Sequence, residues 1–175
     1  MKNNIAISIT SFLVVISGTL FSQQENGKMR IGIFDSRCLA LVHGRSVEFM
    51  KLSDSIDAVY SKAKEEGNQE KIKEIEQFKP TVQVLLHQQV FSNGSIINIV
   101  DKIKEKFPAI AKENNVKMIV SKWEVIFADE AIELIDITDQ LTILFNPDEA
   151  TRKIIENIKA MEPIPIEKIS INPMD

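Results

Sequence analysis

Three aspartates, Asp35, Asp136 and Asp139, lie at the ends of segments whose patterns predict strands or the starts of helices. Carboxylates that come together in space can act as a general acid and base or bind a calcium ion. Aspartate is also common at helix caps and in turns, because its side chain accepts hydrogen bonds from nearby backbone N–H groups. We favour capping for all three residues.

Histidine and cysteine are sparse in this chain. His43 and His87 are the two histidines, and Cys38 is the single cysteine. Neither histidine has a second ligand at the spacing of a metal site, so each is expected to be solvated or to cap a helix. Cys38 could be a nucleophile with His43 five residues on, but no enzyme signature surrounds it, and a buried, inert thiol is favoured. Phosphate-binding and acyl-transfer motifs are also missing from the sequence. We therefore expect no catalytic residue, no metal site and no cofactor, and a protein that is not an enzyme.

Apolar and aromatic side chains are the remaining candidates for a binding function. Met50, Leu52 and Phe78 lie on segments that predict helices, and we expect them to be exposed. Trp123 could anchor a partner, although packing in the core or in a subunit interface is the plainer interpretation. These four residues are the predicted contacts for a client or partner.

The first residues have the pattern of a secretory signal peptide. Lys2 is the single charge before Glu25, and residues 5–21 are apolar apart from serine, threonine and one glycine. This run is shorter and richer in hydroxyl side chains than a typical membrane span of about 20 apolar residues. Residues 1–22 are therefore predicted to be a signal peptide cleaved near Ser22, which would leave no membrane span. An uncleaved N-terminal anchor is the alternative.

Charge and cysteine content narrow the classes of partner and of fold. The net charge is −4 and becomes −5 once Lys2 is removed, so we expect neither nucleic acid nor anionic lipid as a partner. A single cysteine cannot form an internal disulfide, so the fold must be stabilised by packing.

Alternation in the sequence MRIGIF predicts a strand at residues 29–34, and the pattern of residues 37–45 is ambiguous. Helical periodicity predicts one helix from Ser46, as its N-cap, to a stop at Gly67, and a second helix over residues 69–89. Pro80 should kink or restart the second helix. A tight turn joins the two, so residues 46–89 are predicted to form an antiparallel helical hairpin.

The second half of the chain predicts further helices and strands. A third helix should begin at a Ser95 cap, bend at Pro108 and end at residues 114–115. Residues 116–120 and 123–127 alternate as two strands of a β-hairpin, and residues 134–137 predict a further strand. Asp136 or Thr138 should cap a short helix that reaches residue 145. Asn146 should cap the last helix, with Pro147 at its first position and a buried face of Ala150, Ile154, Ile158 and Met161.

These elements predict an α+β fold, in which a small body of short strands carries a projecting antiparallel helical hairpin and C-terminal helices. Residues 23–162 are predicted to be one domain, and residues 163–175 an extended tail.

The order of these elements resembles the Skp/OmpH family of periplasmic chaperone-like proteins. Two stretches carry the resemblance: MRIGIFDSRCLA at residues 29–40, and AIAKENNVKMIVSKWEVIFADEAIELIDITDQL at residues 109–141. The second matches the family's pattern of a helix, a β-hairpin, an acidic loop and Asp-Ile-Thr-Asp before the last helix. The resemblance implies a trimer, in which short strands of three subunits form a central body and the hairpins surround a cavity for unfolded outer-membrane proteins. The chain departs from the family in its shorter hairpin, its acidic charge and its extension through residues 146–175.

Two functions follow as hypotheses. The first is a periplasmic holdase that binds unfolded or outer-membrane polypeptides on its hairpins without nucleotide. The second is a non-catalytic scaffold or adaptor of the cell envelope that binds one folded partner, which the short, acidic arm motivates.

Overall fold

The computed structural model describes residues 27–169, and these residues form a mixed helical and stranded fold of the α+β type. The predicted signal peptide and the last six residues of the predicted tail lie outside the described range. Within it, a three-stranded sheet carries helices on one of its faces. The strands are β1 (Met29–Phe34), β2 (Met118–Ser121) and β3 (Ile132–Asp136); the helices are α1 (Ser36–Gly44), α2 (Val47–Glu65), α3 (Gln69–Phe91), α4 (Ile97–Ile103), α5 (Phe107–Glu113), α6 (Thr138–Thr142) and α7 (Glu149–Lys159).

The sheet has the strand order β2-β1-β3, and both of its pairings are parallel. Ile31 of β1 lies opposite Met118 of β2 and Leu134 of β3. The predicted strand at residues 29–34 is therefore confirmed, and it is the central strand. The predicted β-hairpin is wrong: residues 122–124 form a 3₁₀ turn, and residues 125–129 continue without regular structure.

α1 accounts for the segment whose pattern was ambiguous, and it lies at the centre of the core. Asp35 caps it, because the carboxylate accepts a hydrogen bond from the Arg37 N–H. Cys38, Leu39 and Ala40 are fully buried. A helix that is buried almost all round has no polar face, which explains why its sequence lacks a clear period.

α2 and α3 form the predicted antiparallel helical pair. The Ser46 hydroxyl accepts a hydrogen bond from the Phe49 N–H and caps α2, as predicted. Gly67 adopts a left-handed conformation with φ of 69° in the turn between the helices, which glycine adopts without steric cost. The Tyr60 hydroxyl donates to Glu76 across the pair at 2.7 Å.

The two prolines in the middle of the chain, Pro80 and Pro108, differ in their surroundings. α3 continues through Pro80, so no restart of the helix occurs there. By contrast, the predicted third helix is divided into α4 and α5 by a 3₁₀ turn at residues 104–106, with Pro108 near the start of α5. The predicted Ser95 cap is wrong, since α4 begins at Ile97 with Ile96 as a cap that makes no side-chain hydrogen bond.

The last helix, α7, differs from the prediction in its cap and in its buried face. Asp148, rather than Asn146, caps α7 by accepting a hydrogen bond from the Thr151 N–H. The buried face of α7 is formed by Thr151, Ile155 and Ile158, whereas the predicted Ala150 and Met161 are exposed. After α7 the chain returns to the hairpin base, where the Ile164 N–H donates to Phe91 O at 2.7 Å.

Candidate functional site

A groove runs between α2 and α3 near the base of the hairpin. Its volume is about 330 Å³, and its walls are mainly apolar. The ion pair between Asp57 and Lys79 joins the two helices beside it. Since these two charges neutralise each other, the groove is suited to uncharged, apolar side chains. Its lining residues are Phe49, Leu52, Ser53, Ile56, Asp57, Phe78, Lys79, Val82, Gln83 and Leu86.

The three predicted contact residues of the hairpin are exposed. Met50 and Phe78 are each 50% exposed and Leu52 is 56% exposed. Leu52 and Phe78 lie in the groove, on opposite helices, whereas Met50 lies outside its lining. The structure therefore brings two of the predicted residues together.

The sheet presents a second apolar surface, on the face opposite the helices. Residues alternate between the two faces of a strand, and register partners share a face. Gly32 and its register partners Ile119 and Ile135 point to the helical side, where a side chain on Gly32 would meet Ile137, Ile119 and Val116. We call the other side the open face; its apolar residues are Met29, Ile31, Ile33, Met118, Val120, Ile132 and Leu134, and it also carries the exposed Asp136, the register partner of Ile33.

The open face is uncovered in the part of the chain that the structure describes. Met29 is 56% exposed, Met118 58% and Leu134 39%, and the other four apolar residues are half-buried. Parallel sheets are normally covered on both faces, because their strands are apolar on both. Contiguous exposed apolar patches are common at interaction surfaces of proteins.

The segment after β2 also exposes large apolar side chains. Ile126 is 98% exposed and Phe127 is 82% exposed, in an irregular stretch between the 3₁₀ turn and β3. The outer edge of β2, which pairs with no described strand, borders a groove of about 500 Å³ lined by Phe107, Pro108 and other residues of α4, α5 and β2. Unpaired edges and exposed apolar side chains both favour contact with another chain.

Asp35 is the centre of a buried polar cluster at the carboxyl end of β1. Asp35 and Arg37 are each 1% exposed, and the Arg37 guanidinium donates to both carboxylate oxygens, at 3.1 and 2.9 Å. Trp123 Nε1 donates to the same carboxylate at 3.0 Å, and Lys122 Nζ lies 2.9 Å from it. Arg37 also donates to the Ile158 carbonyl at 2.9 Å, so the cluster joins α1, the 3₁₀ turn and α7.

The hydrogen bonds and charges around Asp35 determine the protonation state of its carboxyl group. Burial alone raises the pKa of Asp35, but hydrogen bonds from Arg37, Trp123 and Lys122 outweigh it and lower the pKa to about 2. Arg37 and Lys122 each lie 4.5 Å from the Trp123 ring. Trp123 is therefore engaged with the core through its indole N–H and its ring face.

The three aspartates do not form one site. Asp35 caps α1, which confirms that prediction. Asp136 accepts a hydrogen bond from the Thr138 N–H at 2.8 Å in the turn before α6, but the N-cap of α6 is Ile137, so the predicted helix cap by Asp136 or Thr138 is wrong. Asp139 instead pairs with Lys159 at 2.6 Å. Between residues 27 and 169, no group of three potential ligands is close enough to hold a metal ion.

Cys38 and the histidines occupy different environments. Cys38 is fully buried, and burial together with the Asp35 charge raises the pKa of its thiol to about 12, so it is not a nucleophile. His87 is exposed, as expected. The expectation for His43 is wrong: it is 5% exposed and contacts Phe49 and Phe145 edge-on.

Sequence reasoning missed two features of these surfaces. The open face was not identified, because residues 116–120 and 123–127 were assigned to a β-hairpin, whereas β2 in fact pairs in parallel with β1. The buried role of Arg37 was also missed, although an arginine within an apolar run beside Asp35 is a signal for a buried ion pair.

Comparison of the chain with protein-family models, curated proteins and solved structures found no match. Across Gly27–Ile169, none of the helices combines the length and apolarity needed to cross a bilayer.

Proposed function

We propose that this protein is an exported, homo-oligomeric holdase that binds unfolded polypeptide on its helical hairpins without nucleotide. The observation that carries the proposal is the apolar groove between α2 and α3, with Leu52 and Phe78 exposed on its two walls. A groove of this size accepts bulky apolar side chains. These are buried in folded proteins and accessible in unfolded ones, so the groove favours unfolded clients.

The open face supports self-assembly. Seven apolar side chains on a parallel sheet need a cover, and apolar residues of further copies of the chain can supply it. The resemblance to the Skp/OmpH family, which rests on residues 29–40 and 109–141, favours a trimer and a periplasmic location. In this arrangement the sheets form the body, and the hairpins project from it.

The proposed assembly is tested by light scattering on the exported protein. We expect a mass three times that of the chain. Met118→Lys places a charge on the open face and should yield monomers with unchanged helicity. Gln77→Lys adds the same charge to the exposed surface of α3 and should leave the mass unchanged. A natural protein with the mass of one chain or of two chains would overturn the proposed trimer.

The proposed activity is tested by dilution of a denatured outer-membrane protein into buffer with and without this protein. We expect suppression of aggregation at stoichiometric amounts, and a weaker effect for the variant Leu52→Ser with Phe78→Ser. Ile97→Ser removes an apolar side chain outside the hairpin that, at 63%, is more exposed than either Leu52 or Phe78, and it should act like the natural protein. Unsuppressed aggregation, together with one folded partner in crosslinking, would favour the scaffold function instead.

A further inference from the structure

The hairpin leaves the body through a short joint between α1 and α2. Two residues, Arg45 and Ser46, separate these helices. The Ser46 N–H donates to His43 O at 3.0 Å, and the Ser46 hydroxyl accepts from the Phe49 N–H at 3.2 Å. The rings of His43 and Phe49 therefore pack against each other directly at the joint between α1 and α2.

His43 is buried at this joint without a partner for one of its ring nitrogens. Its side chain lies edge-on to Phe49 at 5.3 Å and to Phe145 at 5.8 Å between ring centroids. Its Nδ1 makes no hydrogen bond to any residue that the structure describes. A buried polar atom without a partner is costly, and a charged imidazolium in the same place is costlier.

The groups around His43 do not stabilise a positive charge on its imidazole ring. Lys102 of α4 and Glu48 of α2 are the charged groups that act on the ring, and they bond to each other at 2.5 Å. α3 presents Leu86 to the adjacent Gly44. On the side of α7, Arg45 donates to the neutral Thr151 hydroxyl at 3.0 Å.

Burial lowers the pKa of His43 below its ordinary value of 6.5, and the positive charge of Lys102 lowers it further, against an opposing effect of Glu48. The hydrogen bond from Lys102 lowers the pKa of Glu48, so that pair stays ionised while a histidine titrates.

Phe49 connects this histidine to the groove. The same ring that packs against His43 lines the groove with Leu52 and Phe78. We propose that protonation of His43 opens the joint between α1 and α2 and displaces Phe49, so that acidity regulates the hairpin groove. The effect on clients rests on the proposed function, whereas the movement of the hairpin does not.

The direction in which pH shifts the balance between the open and closed joint follows from proton linkage. The closed joint disfavours charged His43, so an open joint, with His43 in water, binds the proton more tightly. The closed state is fully favoured above the ordinary histidine pKa and loses this advantage as the pH falls below it. With one proton involved, the ratio of open to closed molecules rises by at most tenfold per pH unit.

The test measures the distance from the hairpin turn to α7 in the full exported protein. Nitroxide labels at Glu66→Cys and Lys153→Cys are exposed, and Cys38 is too buried to react. Labelled chains are mixed with an excess of unlabelled protein, so that the distances measured are those within one chain. From pH 8 to pH 5 we expect a second, longer-distance population that grows about tenfold or more and disappears when the pH is restored. His43→Phe and His43→Gln, which cannot titrate, should each keep one distance at both pH values.

An unchanged distance distribution in the natural protein would overturn the inference. The same shift in a variant that folds by circular dichroism and lacks an imidazole would also overturn it. If the joint opens with acid but the protein suppresses no aggregation at either pH, the joint is pH-sensitive as inferred and the holdase function fails. If client binding weakens with acid equally in His43→Gln, the function stands and the role of His43 fails.

Discussion

The buried carboxylate of Asp35 offers a sharp quantitative prediction. Asp35→Asn keeps the shape of the side chain and removes its charge, which leaves Arg37 and Lys122 without their shared anion. Removing one member of a buried ion pair typically costs 3–5 kcal/mol, and the amide can retain part of the hydrogen bonding. We expect a loss of about 3 kcal/mol in the free energy of unfolding, a large share of the 5–15 kcal/mol typical of a domain.

The pH dependence of the free energy of unfolding gives a second estimate of the stabilisation that ionised Asp35 provides. The pKa of Asp35 is about 2 in the folded protein, against 3.8 for an ordinary aspartate. Because the folded pKa is the lower one, the stabilisation is present above pH 3.8 and is lost as the pH falls towards 2. This difference corresponds to about 2 kcal/mol at 1.36 kcal/mol per pKa unit.

Urea unfolding measures both quantities. Trp123 is the single tryptophan and lies within the cluster, so its fluorescence reports on the cluster directly, while circular dichroism reports on the helices. Asp54→Asn, on the exposed surface of α2, is the matched control and should change stability by less than about 0.5 kcal/mol. An Asp35→Asn protein as stable as this control at neutral pH would refute the assigned role of the cluster.

Three further predictions concern packing and reactivity. Gly32→Ala should destabilise the protein by about 1–3 kcal/mol in thermal unfolding, because its new carbon would lie 3.1 Å from the Ile137 side chain; Gly27→Ala, which meets nothing within 4 Å, should be neutral. Pro80→Ala should slow amide hydrogen exchange along α3 by restoring a backbone donor inside the helix, whereas Gln77→Ala should not. Cys38 should resist a thiol reagent at pH 8 and react fully in urea; rapid reaction of the folded protein would contradict its burial.

Local patterns predicted most of the elements correctly. The alternation in Met29–Phe34 follows from a strand with two distinct faces, and the helical hairpin follows from apolar periodicity around Gly67. Ser46 was identifiable as a cap because its hydroxyl bonds to a backbone N–H three residues on. These features depend on residues close together in the sequence.

Interactions between distant residues explain what the patterns missed. Residues 123–127 alternate like a strand, but the bond from Trp123 to Asp35 joins residues 88 positions apart and accompanies a 3₁₀ turn instead. The parallel pairing of β2 and β3 on β1 likewise depends on crossovers that local periodicity does not record. His43 appeared solvated because its burial depends on Phe145, which lies in a separate segment of the chain.

The central claim is that unfolded polypeptide binds in the groove between α2 and α3. Replacing Phe78 with a photo-crosslinking phenylalanine analogue, and Ile97 with the same analogue as a control, tests it directly with a denatured outer-membrane protein. We expect strong crosslinking to the unfolded client from position 78 and little from position 97. Equal yields at the two positions, or no client adduct at position 78, would contradict the account.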